Sequence, residues 1–384
     1  MSKVRLGIIG LGNMGSAHAA NVLAGKIPRL ELTAVGDTDP GRLARAPQVK
    51  KFASADEMIA SGLIDALLIA TPHFDHTTIG IKALQAGLHV MVEKPISVHK
   101  VDAERLIAAH TNQRQVFAAM FNQRTDHYYL KIRELIQSGE LGEVRRVNWT
   151  ITDWFRTEQY YASGGWRATW AGEGGGVLLN QGLHNLDLLQ WLFGMPKRVR
   201  AHCGFGRYHD IEVEDEVTAY LEFASGATGV LITSTGEAPG TNRLEIAAER
   251  GKVVYENDTL VFSRNQTPMS EFSRTATTGF ARPETQVVPL AVKDHGGQHV
   301  GILQNFTAAI LDGAALIAPA NEGIHSVELV NAMLLSAWTD ETVILPLDGK
   351  RFERLLQQKI AGSKVKKSSP VQTKDDDFGK SFGR

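Results

Sequence analysis

Two groups of residues in this chain have the types and spacing to do chemistry on a small alcohol or ketone. Lys94 stands between Glu93 and Pro95 at the end of the apolar run 89–92, where a lysine can orient, polarise or protonate an oxygen. The competing reading is a solvated lysine with Glu93 as its surface partner. His184 follows a second glycine cluster, Gly172-Glu173-Gly174-Gly175-Gly176, and has Asn180 four residues before it and Asp187 three after. A helix over 177–192 would bring all three near one face. Histidine titrates near working pH and can take a hydroxyl proton as hydride leaves the adjoining carbon. A satisfied core histidine is the alternative, and Asp187 would either orient the ring or make a structural contact.

A site for a hydride carrier precedes both groups. Gly10-Leu11-Gly12-Asn13-Met14-Gly15 follows the β-rich run 4–9 and opens a helical pattern. In that order the glycines allow a tight turn, close approach of backbone to a pyrophosphate and close helix–strand packing, while the helix start supplies N–H donors. Asp37 ends the next strand 22 residues beyond Gly15, near the place where an acid meets adenosine ribose hydroxyls. Its charge would repel a 2′-phosphate, and only Arg42 follows closely enough to receive one, so NAD is expected over NADP. The expected cofactor contacts are Gly10, Gly12, Asn13, Met14, Gly15, Asp37, Thr38, Thr71, Pro72, His76, Glu93 and Lys94. His76 has a second reading, as a cap on the helix that begins beside it.

The elements that must position these residues fall into two patterns. Up to about residue 125, short β-rich runs (4–9, 30–36, 66–70, 89–92, 116–121) alternate with helical patterns (14–23, 55–60, 76–86, 101–110), which predicts a parallel sheet covered by helices on both faces. Carboxyl ends of such strands face a common crevice, so Thr71-Pro72, Glu93-Lys94 and, beyond the last strand, Asn122 and Arg124 converge there. After a linking helix over 128–138 come longer runs alternating with period two: 144–152, 199–205, 217–223, 227–234, 243–248 and 252–256. These predict a largely antiparallel sheet with one buried face. Helical stretches over 302–311 and 327–337, then a β run over 342–345, complete the pattern, and 265–284 reads as a long loop. The fold class is α/β throughout.

Composition removes several other functions. Among 384 residues, 41 Lys and Arg balance 42 Asp and Glu, leaving no basic excess for nucleic acid or an acidic membrane surface. One cysteine, Cys203, makes an intramolecular disulfide impossible and a multi-cysteine metal site untenable, and no metal is expected. With no apolar run of 18 residues and no secretory leader pattern, a cytoplasmic globular protein is the expectation.

Taken together, Gly10–Gly15, Asp37, Thr71-Pro72, Glu93-Lys94-Pro95 and the GGGxLxxxGxHxxDLL pattern over Gly174–Leu189 resemble the Gfo/Idh/MocA oxidoreductases. The resemblance covers about 1–235 clearly and most of the chain to about 355. It implies a Rossmann dinucleotide-binding domain over 1–124 and, over 125–355, a substrate-binding and oligomerisation α/β domain with a large, mostly antiparallel open sheet. It also implies a carbohydrate or cyclitol substrate oxidised or reduced at a ring carbinol, Lys94 near the reacting hydroxyl, His184 as acid/base, and a homodimer or homotetramer. Residues 363–384, charged and Ser-rich, read as a disordered tail or an arm packed on a partner subunit.

Inositol-dehydrogenase-like members carry Asp four residues before the histidine, whereas this chain has Asn180. An amide cannot ionise, so a carboxylate-to-histidine relay is absent there, though Asn180 can still bond a sugar hydroxyl. That form points to modified or nucleotide-linked sugars and glycosides. The aromatic-rich segment 153–170 supplies polar-tipped rings suited to sugars, with Tyr161, Trp166 and Arg167 as pocket lining and packing as the alternative. Asn122 and Arg124 join them as substrate contacts, and Arg124 would either hold a sugar acid or brace the two halves. Two other outcomes stay open at this level: a redox-neutral cycle on bound NAD for glycoside cleavage or epimerisation, and a cofactor sensor without catalysis.

Overall fold

The computed structural model describes residues 3–363, so the expected tail or arm lies outside the described residues except for Ser363. Six strands, β1 (Val4–Ile9), β2 (Leu30–Gly36), β3 (Lys50–Phe52), β4 (Ala66–Ile69), β5 (His89–Val92) and β6 (Phe117–Ala119), form an all-parallel sheet in the order β3-β2-β1-β4-β5-β6. β4 and β6 are buried along their whole length, as strands covered on both faces must be. The strand order reverses between β1 and β4, which opens a crevice at the carboxyl ends of both. Late chain returns to β6: Ala119 N donates to Ala318 O at 3.0 Å, so the two halves are stitched at that edge.

Nine further strands make the second sheet: β7 (Val144–Ile151), β8 (Pro196–Phe205), β9 (Glu214–Phe223), β10 (Thr228–Ser234), β11 (Asn242–Ala248), β12 (Gly251–Glu256), β13 (Thr259–Asn265), β14 (Thr285–Pro289) and β15 (Val343–Ile344), in the order β14-β13-β12-β11-β7-β10-β9-β8-β15. Every neighbouring pair is antiparallel except β10 with β7. Burial alternates along β9 and β11, so one face points to the core. The long helix Gly323–Thr339 lies on β8 and against the helix Leu183–Phe193.

Several expectations shift. The helix expected over 177–192 begins only at Leu183, and residues 171–182 wind through irregular turns instead. Packing forces this: a Cβ on Gly176 would stand 2.0 Å from the Glu214 carbonyl oxygen, so the segment is pressed against β9 too closely for a regular helix. The loop over 265–284 contains a short helix, Met269–Thr275. β3, β13, β14 and the helix Gly349–Ala361 were not expected. That last helix buries only Phe352 and Leu356, two anchors in a charged sequence, and starts on an Asp348 side chain that accepts from Arg351 N at 3.1 Å.

Candidate active site

The first glycine turn leaves β1 and enters the helix Asn13–Leu23 with no side-chain cap, so the backbone N–H groups of its first turn point into the crevice. Gly10 has φ +89°, a value that favours glycine. A Cβ on Gly15 would lie 1.8 Å from Gly10 O, while one on Gly12 would meet no atom within 4 Å. Helix and loop are therefore in contact at Gly15, and space is left at Gly12. Asp37 is buried and braces this loop, accepting from Leu11 N at 2.7 Å and Asp39 N at 2.9 Å, with Arg42 Nη1 3.7 Å away. Asn13 and Thr38 are exposed at its rim, and Met14 is half-buried. Across the crevice, Thr71 Oγ1 is buried without a partner among the described residues. Open space at Gly12, uncapped N–H groups, a carboxylate at the end of β2 and an orphaned hydroxyl fit a dinucleotide held by backbone donors.

Beyond Pro72, which caps the helix His73–Gln85, His76 does not reach toward a ligand. It is buried, with Nδ1 2.7 Å from Pro95 O and Nε2 2.8 Å from Thr71 O, so it links the loops after β4 and β5. A contact role toward the cofactor is thus replaced by a structural one. His73, not expected, is also buried, faces Glu173 O at 3.2 Å through Nδ1, and stands edge-on to Trp166 at 5.3 Å between ring centroids.

Glu93 is buried, with Oε1 2.6 Å from His18 Nε2 while Oε2 accepts from Lys94 N at 3.2 Å. Burial alone would raise its pKa, but the His18 bond and the charges of His18, His299 and Lys94 bring it down to about 2. His299, at the start of the helix Gln298–Asp312, lies 5.6 Å from the His18 ring, and burial together with His18 pushes its pKa down to about 4. Neither histidine carries a sequence motif. Only the return of this late helix to the crevice brings His299 there.

Lys94 is half-buried, and its Nζ donates to the backbone carbonyl of Asn180 at 2.9 Å. This bond ties the end of β5 to the turn that runs into His184. His184 occupies the first turn of its helix, buried, with Nδ1 unpartnered among the described residues. Burial pushes its pKa well below 6.5, and the nearby charge of Lys94 adds to the effect, so the ring is neutral and able to accept a proton. Burial also lowers the Lys94 pKa, partly opposed by Glu93 and Glu173.

The expected trio of Asn180, His184 and Asp187 does not assemble. Asn180 lies in the turn before the helix, and Asp187 faces Arg124 with both oxygens at 2.7 Å. Arg124 has no exposed side-chain surface and also contacts Glu322, so its role as a substrate contact gives way to the brace between the halves. Asn122 is buried, donating to Gln298 Oε1 at 2.7 Å, and its Oδ1 is without a partner among the described residues. Tyr161 is also corrected: it is buried, with its hydroxyl 2.7 Å from Thr235 Oγ1. Its neighbour Tyr160 instead joins Arg167, Asn180 and Gln181, while Trp166 and Arg167 are half-buried beside it. Adjacent tyrosines on a one-turn helix, Glu158–Ala162, point different ways, and the sequence did not say which one faced the crevice.

A dinucleotide crevice at the switch point of a parallel sheet, closed by a second half that brings a neutral histidine toward a half-buried lysine, defines a nicotinamide-dependent oxidoreductase. Residues 4–121 match the family described as "Oxidoreductase family, NAD-binding Rossmann fold" and 129–254 match "GFO/IDH/MocA C-terminal domain". The chain belongs to the Gfo/Idh/MocA family, and NAD is its cofactor. It is 26% identical to inositol 2-dehydrogenase of Rhizobium meliloti over 87% of this chain and 96% of that one. Against levoglucosan dehydrogenase of Pseudarthrobacter phenanthrenivorans it is 25% identical over 90% of this chain and 99% of the relative. Its fold matches the WlbA dehydrogenase of Bordetella pertussis, solved with NADH and UDP-GlcNAcA, at TM-score 0.78 and 26% identity, covering 91% of this chain and 99% of that one. Among the described residues, no group of three or more His, Cys, Asp and Glu is placed to hold a metal ion, and no helix is long and apolar enough to cross a membrane.

Proposed function

We propose that this protein is an NAD-dependent dehydrogenase that oxidises a ring carbinol of a sugar, sugar derivative or cyclitol, or reduces the corresponding ketone. The observation that carries this reading is the 2.9 Å bond from Lys94 Nζ to Asn180 O, which joins the crevice of the parallel sheet to the turn leading into His184. An ammonium has three N–H donors, so one anchors Lys94 and the others are left for a substrate oxygen. His184, kept neutral by burial, takes the hydroxyl proton, and Lys94 steadies the negative charge that develops on the same oxygen. NAD, when bound, supplies the hydride acceptor. Gly10, Gly12, Asn13, Met14, Gly15, Asp37, Thr38, Thr71 and Pro72 surround its site, and Asn122, Trp166, Arg167 and Asn180 border the substrate.

The test is nicotinamide absorbance during turnover with inositols, hexoses, glycosides and sugar acids. His184→Gln and Lys94→Met each lower kcat by about 10²- to 10⁴-fold while NADH titration by fluorescence still gives binding. Near-normal turnover in either variant overturns the assignment. The same reading includes a homodimer or homotetramer built on the outer face of the nine-stranded sheet, where Tyr220 and Ile344 are exposed, checked by light scattering. A reducing, cytoplasmic location accords with the single free cysteine, Cys203.

A further inference from the structure

One buried carboxyl near the reacting groups takes no part in proton transfer. Glu214 opens β9, is shut away from solvent and reaches the second glycine turn, where its Oε1 accepts from Gly176 N at 2.8 Å and Leu178 N at 3.1 Å. Between those donors, Val177 N bonds the Glu214 backbone carbonyl at 2.9 Å. Three consecutive N–H groups of the turn are thus held by one residue. The other oxygen, Oε2, is buried without a hydrogen-bond partner among the described residues. Burial raises the carboxyl's pKa to about 7, against the Gly176 and Leu178 bonds, which lower it. Charged or protonated, the group offers the turn the same thing, Oε1 as acceptor.

What hangs on this grip is the reacting end of the site. Residues 176–182 form neither helix nor strand, and the turn is built inward from its held end: Asn180 N donates to Gly176 O at 3.0 Å and Gly182 N to Val177 O at 2.7 Å. On its far side Asn180 O accepts from Lys94 Nζ at 2.9 Å, and the helix carrying His184 starts at Leu183. Side chains of Asn180 and Gln181 tie the turn to Tyr160, but its backbone is carried by Glu214 on one side and Lys94 on the other. The support under Glu214 is firm, because β9 lies between β8 and β10 and Glu214 itself pairs with Phe205.

We propose that Glu214 is a positioning residue for the reaction: by holding Gly176 N and Leu178 N on one oxygen it fixes where the turn stands, and through the turn where the Lys94 ammonium and the His184 ring stand relative to each other. This rests on the dehydrogenase reading above and adds to it a residue that acts through backbone rather than on the substrate. The role requires an acceptor at that reach, not a charge. A misplacement of about 1 Å costs on the order of 100-fold in rate.

Two variants separate reach from charge. Glu214→Gln keeps an acceptor oxygen on a side chain of the same length, and Glu214→Asp keeps the carboxyl but withdraws it by one methylene. For each, kcat is measured with NAD and the best sugar or cyclitol from the substrate screen, NADH binding is followed by fluorescence, and a crystal structure gives the Lys94 Nζ to Asn180 O separation, which needs no substrate. Glu214→Gln is expected to keep kcat within about threefold and the bond in place, while Glu214→Asp lowers kcat by about 10- to 100-fold and opens the bond beyond about 3.5 Å, with NADH affinity within about threefold in both. Leu221→Ala, a cavity in the core face of the same strand, lowers Tm without the fall in kcat, which separates position from stability. The titratable groups that act on Glu214 or respond to it are Glu173 and, from β8, Cys203, whose thiol burial keeps uncharged. A limb near pH 7 in the wild-type rate that Glu214→Gln removes would assign the effect to charge and overturn the proposal. So would a loss above about tenfold in Glu214→Gln, or a Glu214→Asp enzyme no slower than Leu221→Ala. Should Glu214→Asp not fold, Glu214→Gln decides alone: a retained rate at every pH with the bond intact supports the role. The two readings fail separately. A bond kept in Gln and lost in Asp, in a protein that turns over no sugar, keeps the positioning and removes the dehydrogenase, while turnover left intact in Glu214→Asp does the reverse.

Discussion

Arg124 and Asp187 meet through two parallel bonds, Nε and Nη2 each 2.7 Å from a carboxylate oxygen, with both side chains shut away from solvent. Arg124 follows β6 of the parallel sheet, and Asp187 belongs to the helix that carries His184, so this pair fixes that helix to the cofactor half. Gln190 adds a bond to the same carboxylate at 3.1 Å. Removing one partner leaves a buried, uncompensated charge, which costs roughly 3–5 kcal/mol. Arg124→Met is therefore expected to lower Tm by about 10 °C, whereas the double variant Arg124→Met/Asp187→Leu recovers most of the loss. A thermal scan decides it. A single variant with wild-type Tm and a raised KM would return Arg124 to the substrate.

Asp37 braces the Leu11 and Asp39 backbone, and in the proposed function it also meets the ribose of the cofactor. Asp37→Ser removes a charged acceptor and the repulsion of a 2′-phosphate, while Arg42 stands close enough to approach that phosphate. NAD affinity should fall by roughly 10- to 100-fold, with the NADP-to-NAD ratio of kcat/KM rising at least as much. Arg42→Ala in the same background should cancel the gain. An unchanged ratio would mean that selectivity resides elsewhere.

Glu93 links acid stability to the site. Its folded pKa, about 2, lies below the ordinary 4.5, so its charged form stabilises the fold fully above pH 4.5 and that contribution is lost as pH falls toward 2. The shift corresponds to about 3 kcal/mol. Urea unfolding of wild type and Glu93→Gln should differ by a constant amount above pH 5, and the gap should shrink below pH 4.5. A gap that ignores pH across this window would show that Glu93 is not held by its charge.

The cofactor half was legible because its signals are local. The turn Gly10–Gly15 directly joins a strand to a helix, and Asp37, Thr71 and Glu93 end strands whose apolar runs are continuous. Most of the nine-stranded sheet was legible for a similar reason, since period-two burial is written in β7 through β12, whereas β13 and β14 were not foreseen. What escaped depends on contacts between distant residues. Arg124 reads as a crevice residue until Asp187 claims it, 63 positions later. Val177–Gly182 has the apolar content of a helix, but the approach of Gly176 to Glu214 bends it into turns. Tyr160 and Tyr161 are equivalent in sequence, and only the position of Thr235 against one and Arg167 against the other separates them.

His184 gives the sharpest test of the proposed chemistry, because its burial sets the direction of a pH effect. A histidine whose pKa is depressed is unprotonated, and so competent as a base, at pH values where an ordinary histidine is charged. For alcohol oxidation at saturating NAD, kcat/KM should therefore hold its plateau through pH 6.5 and fall only below it. In the reverse direction the ring must donate a proton, so ketone reduction should rise as pH falls over the same interval. His184→Gln should abolish both dependences together with most of the rate, and leave NADH binding in place. An acid limb at or above pH 6.5, or one that survives in the glutamine variant, would assign the proton to another group. The nearest alternative is Lys94, which as the base would have to start uncharged, so that its lowered pKa would appear as an acid limb displaced below pH 10.5.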